Sequence, residues 1–130
     1  MKYFIPGFLV VAALILLAIG CGIFFAPHAS HGANGIMLDT DPSLLSEVRA
    51  PGALLATMGV VILFGAWRQE RAAAALGLVV LVYGSFGFAR LFAWWVDGRP
   101  ADGLVVAIYI ELLLAATALV LRRLQPVSTP

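Results

Sequence analysis

Residues 72–95 read AAAALGLVVLVYGSFGFARLFAWW, an apolar run carrying one charged side chain, Arg90. A helix that crosses the hydrocarbon of a bilayer needs about 20 predominantly apolar residues, and this stretch supplies that length unaided. It is built from Leu, Val, Ala, Gly and aromatic residues, without the apolar–polar alternation that marks a transmembrane strand. Three further stretches have the same character, so the predicted spans are about 4–25, 43–67, 72–95 and 103–121, in a single transmembrane domain covering 1–130.

Composition agrees with a lipid-embedded chain. Of its 130 residues, 62% are hydrophobic and 12% charged, which leaves too little polar surface to clothe a soluble domain. The net charge of +1 with no basic run argues against nucleic acid as a partner. A lone cysteine, Cys21, excludes an internal disulfide, a paired-cysteine redox motif and a cysteine-based metal site. Cys21 is expected to be a small buried apolar residue. Lys2 ahead of an apolar run imitates a cleaved signal, but Ala18 stands where a lipoprotein box favours leucine, and Gly22-Ile-Phe-Phe25 carries the apolar run onward. A retained first helix is therefore expected.

Charge at the span ends predicts an orientation. Lys2, Arg68, Arg71, Arg122 and Arg123 flank one side, while Asp39, Asp41, Asp97 and Asp102 flank the other with Arg99 as its one base. Lys and Arg favour the cytoplasmic side, so both termini and the turn at 68–71 are expected inside, and the 27–42 connection and the 96–102 turn outside. The two short turns force consecutive helices to be antiparallel neighbours. The predicted fold is all-α, an up-down four-helix transmembrane bundle with both termini cytoplasmic. Small residues such as Gly52, Ala56 and Gly59, Gly77, Gly84 and Gly87, and Ala107, Ala115 and Ala118 allow close helix approach.

Four ionisable residues lie within or at the edge of the spans: Glu47, Arg49, Arg90 and Glu111. A charge in the bilayer costs roughly 2.5–3.5 kcal/mol even on the lenient insertion scale, so such groups pair with one another or line a functional cavity. At a rise of about 1.5 Å per residue, Arg90 lies roughly 8 Å and Glu111 roughly 12 Å from the outer ends of their spans. Glu47 and Arg49 are a few residues inside span two, so all four are expected in one leaflet, joined across helices. Asp41-Pro42 should cap span two. Pro51 removes a backbone bond near Glu47, and the expected kink would widen a polar pocket. Its further predicted lining is Tyr83, Gly87 and Trp94, which share a face of span three with Arg90, together with Tyr109. Trp94 and Trp95 also lie at the height of an interfacial aromatic belt.

No metal or other cofactor is expected. His28 and His31, with Asp39 and Asp41, fall in a Gly/Ala/Ser-rich loop that lacks a closed ligand set. No histidine lies within a span to hold haem. No phosphate loop, zinc-protease motif or nucleophile–base pair is present.

Ser46-Glu-Val-Arg-Ala-Pro-Gly52, Gly87-Phe-Ala-Arg-Leu-Phe-Ala-Trp-Trp-Val-Asp-Gly-Arg-Pro100 and Ile110-Glu-Leu112 together resemble the bacterial membrane family catalogued as domain of unknown function 4345. The likeness extends over nearly the whole chain. It implies four helices, no established activity, and Arg49, Arg90 and Glu111 as signature polar positions. A fainter similarity is to the ergosterol-biosynthesis scaffold family, which also has four spans, a polar start to its second helix and an acid in its last. That is analogy at the level of fold.

Three functions follow as expectations. The first is a non-enzymatic accessory or scaffold protein that binds a partner membrane protein, a further copy of itself or a membrane lipid at its outer polar cluster. The second is a small proton-coupled oligomeric transporter using Glu111. The third is a lipid- or isoprenoid-modifying enzyme, for which Glu47 and Glu111 are the acids available within the membrane.

Overall fold

The structure is a computed structural model and describes residues 3–125. Five α-helices account for most of it: α1 (Phe4–Phe25), α2 (Pro27–Gly32), α3 (Pro42–Trp67), α4 (Ala72–Asp97) and α5 (Asp102–Arg123). Four of them, α1, α3, α4 and α5, are long and apolar enough to cross a membrane. The predicted spans match these within about two residues at each end, apart from the short α2. Lys2 and the last five residues lie outside the described residues, and with them the part of the predicted orientation that rests on Lys2.

Local chemistry sets the helix ends. The Asp41 carboxylate accepts a hydrogen bond from the Leu44 amide at 2.9 Å, with Pro42 at the first helical position, as capping rules require. The helix then continues through Pro51 as one element. A single 3-10 turn, Gln69–Arg71, makes the link from α3 to α4. Gly98, at a φ of 99° that a side chain would resist, ends α4 by donating from its amide to the Trp94 carbonyl. The one surprise in the connections is α2, in a stretch expected to be irregular. Pro27 has no amide hydrogen to leave unsatisfied and its fixed φ suits a helix start.

The helices do not pack equally. α1 and α3 make the most extensive interface, α4 and α5 the next, and smaller contacts join α3 and α1 to α4. α1 meets α3 through small residues. A methyl at Gly20 would collide with the Ala56 amide nitrogen, and one at Gly52 would lie 2.8 Å from that of Phe24, so only glycine permits this backbone approach. The interior is filled by Leu9, Ile62, Leu76 and Val79, all fully buried. Tyr83 crosses it to donate its hydroxyl to the Ala12 carbonyl at 2.6 Å, tying α4 to α1.

α5 leans on α4, and no comparable interface joins it to α1 or α3. The bundle is therefore less evenly closed than its up-down topology suggests, with a cleft between α1 and α5 beneath α2. Phe64, Leu81, Phe88, Phe92 and Leu113 project outward, as suits a lipid-facing surface. Cys21 is also exposed, contrary to the expectation that it is buried. Lipid accepts a small apolar residue as readily as the interior does, so composition cannot decide which way it faces.

Candidate functional site

Arg90 and Glu111 meet across the α4–α5 hairpin. The short link at 98–101 aligns the two helices antiparallel and puts these residues at matching levels. Gly87 then sets their separation. A side chain there would strike Leu112, since a methyl on Gly87 would come within 2.7 Å of the Leu112 Cδ2 and 3.5 Å of the Glu111 Cβ. Arg90 Nε donates to Glu111 Oε1 at 3.2 Å. The carboxylate is the more enclosed partner, its side chain 9% exposed against 31% for Arg90. The Phe86 ring lies 6.0 Å from the guanidinium carbon, at the outer limit of a cation–π contact. Glu111 Oε2 is buried and hydrogen-bonded to nothing among the described residues.

Three cavities adjoin this pair. The largest, about 360 Å³, lies in the α1–α5 cleft and is lined by Ile23, Ser30, His31, Asn34, Arg90 and Glu111, among others. A small one of about 30 Å³ lies towards α1 and α3 and includes Tyr83, Phe86 and both members of the pair. A third of about 310 Å³ lies on the side of the 98–101 turn, where Trp94, Asp97 and Arg99 join Arg90. Arg90 thus borders all three.

The expected four-charge cluster is divided. Arg90 and Glu111 pair, and Tyr83 and Trp94 line adjoining cavities. Arg49 instead donates from Nη1 to the Phe24 carbonyl at the carboxyl end of α1, where a cation complements the helix dipole. Glu47 is exposed and its side chain makes no hydrogen bond or ion pair among the described residues. The physical reason is the glycine face of α3, which turns that helix onto α1 and away from α5. Pro51 and Tyr109 are exposed, Tyr109 by 66%, and line none of the three cavities; Gly87 is a packing position. Glu47 and Glu111 are therefore not assembled as the acid pair that catalysis on a lipid would need.

Ser30, His31 and Asn34 are the residues that sequence reasoning missed. They come to the cavity on α2 and the segment that follows it. His31 is held there by a 2.9 Å hydrogen bond from its Nδ1 to the Pro27 carbonyl. The available signal was Pro27 itself, read as a helix start directly after a span. Among the described residues, no group of three or more His, Cys, Asp or Glu could hold a metal ion.

Four membrane-length helices, with an ion pair held between α4 and α5, define a multi-pass α-helical membrane protein. The family described as "Domain of unknown function (DUF4345)" matches residues 5–122. The chain belongs to that family. No curated protein and no solved structure matches it.

Proposed function

We propose that this protein is a non-enzymatic binding protein of the bacterial cytoplasmic membrane, which holds a lipid-like amphipathic molecule at its outer face, in the cleft between α1 and α5. One observation carries this proposal: the Arg90–Glu111 pair borders a cavity of about 360 Å³ whose other walls combine apolar side chains with Ser30, His31 and Asn34. Sites for small molecules have this mixture of apolar walls and a few polar groups that fix orientation. Charges within a membrane default to such roles. The outward orientation rests on Arg68, Arg71, Arg122 and Arg123 at one end of the bundle and the cytoplasmic preference of such residues. An accessory role, delivering or presenting the bound molecule to a partner membrane protein, follows naturally from a site without a catalytic set.

The test is purification in mild detergent followed by native mass spectrometry. Retained lipid-like adducts are expected, and they should diminish in Arg90→Gln. Bare monomer from the unmodified protein, with no retained molecule or partner, would count decisively against the proposal.

A small proton-coupled transporter is the alternative, favoured by the free oxygen of Glu111 beside the cavity. It requires substrate flux in proteoliposomes that Glu111→Gln abolishes; flux indifferent to that change removes it.

A further inference from the structure

We infer that the cleft selects a zwitterionic group that carries a primary ammonium and a phosphate on a short linker, the chemistry of a phosphoethanolamine unit. This rests on the ligand-binding function proposed above and narrows it to a class of headgroup.

The pair itself excludes simpler ligands. Arg90 and Glu111 are joined at 3.2 Å and both border the cavity of about 360 Å³. A plain anion drawn to Arg90 would meet the Glu111 carboxylate beside it. A plain cation drawn to Glu111 would meet the guanidinium. Surrounded by lipid, either would leave an uncompensated charge, and such charges are costly. A ligand with both signs leaves a balanced set of four charges.

The unused hydrogen-bonding capacity has the same polarity pattern. A guanidinium has five N–H donors in a planar fork suited to phosphate, and Arg90 commits its Nε–H to Glu111. Ser30 and Asn34 add neutral donors to the same cavity wall. A carboxylate accepts at about four lone-pair positions, yet Glu111 Oε2 accepts nothing among the described residues. The terminal torsion of a glutamate is soft, so the carboxylate of Glu111, which borders the cavity, can adjust to a donor placed there. A primary ammonium can donate to it, whereas a trimethylammonium has no N–H to give. The headgroup therefore places ammonium on Glu111 and phosphate on Arg90, Ser30 and Asn34. In a lipid carrying this headgroup, the ammonium is the end farthest from the acyl chains. It can lead into the α1–α5 cleft while the chains stay in the bilayer.

The experiment uses the full chain in nanodiscs made from equal parts phosphatidylethanolamine, phosphatidylcholine and phosphatidylglycerol. Lipids retained on release are counted by native mass spectrometry. A parallel arm measures the melting temperature in detergent with and without soluble O-phosphoethanolamine. Phosphatidylethanolamine should be retained at least about tenfold over phosphatidylcholine, the scale of a charge-assisted hydrogen bond. Glu111→Gln leaves Arg90 as an unopposed cation, so its preference should switch to phosphatidylglycerol. Ala107→Phe, which fills the same cavity from one turn before Glu111 and keeps both charged side chains, should lose retention with melting preserved; it keeps the test decisive if Glu111→Gln does not fold. A melting increase with O-phosphoethanolamine, but no retained lipid, would support the same headgroup chemistry and identify a free solute as its source. Equal retention of the three lipids with dependence on Arg90 overturns the zwitterion but leaves the binding function standing. No retention and no melting shift overturns both.

Discussion

The two best-packed helix pairs of this protein solve the same problem with opposite chemistry. Neither gains from hiding apolar surface, because lipid is as apolar as the interior. α1 and α3 replace that missing force with close backbone contact at Gly20, Gly52 and Gly59. The α4–α5 pair also has a close point, at Gly87, but it encloses a salt bridge and stands beside open volume. The first pair is a dry structural seam. The second trades density for polar groups facing a cavity, as a binding site requires. Where small residues line a seam, packing explains them; where charge and space coincide, the proposed ligand is the account to test.

Substitutions can break this contrast, and their expected effects run from severe to negligible. Arg90→Ala should lower stability in mixed-micelle unfolding by about 3–5 kcal/mol, because the enclosed carboxylate loses its partner. Replacing Arg90 and Glu111 together with leucine should recover most of that loss while removing ligand retention. Retention that survives in this double variant would mean that the charges take no part in ligand binding. Gly20→Val should cost about 1–3 kcal/mol through overpacking against α3; unchanged unfolding would show that the seam is looser than described. Tyr83→Phe removes the hydroxyl that bonds Ala12, with an expected loss of about 1 kcal/mol. Arg49→Gln should cost about 0.3–1 kcal/mol by removing a charge from the end of α1, and it should leave lipid retention unaltered. Glu47→Gln should fall within about 0.5 kcal/mol of the unmodified protein; a large effect would restore it to the site.

Much of the fold was legible because span length and turn length are strong constraints. Four apolar runs with two short links leave little freedom in topology, and the same geometry brought Arg90 opposite Glu111. Depth along a helix follows from counting residues. Direction around the helix does not, and that is where Glu47, Arg49 and Tyr109 were misplaced. In water, a hydrophobic stripe points to the core. In lipid both faces are apolar, so Cys21 gave no sign of its outward position. Gly52 and Gly59 held the missing information, since they choose α1 as the partner of α3 and so carry Glu47 and Arg49 away from α5. His31 was hidden for a different reason. A polar residue in a connection is equally at home in solvent or over a cavity, and only the helical turn begun by Pro27 brings it to the site.

The α4–α5 ion pair also has a consequence for biosynthesis. Arg90 precedes Glu111 by 21 residues, so the ribosome delivers the base well before the acid. Until then α4 carries a lone charge whose transfer into the bilayer is unfavourable. Insertion of α4 is therefore expected to be more complete when α5 follows it, and a chain truncated before α5 would show this as a lower inserted fraction.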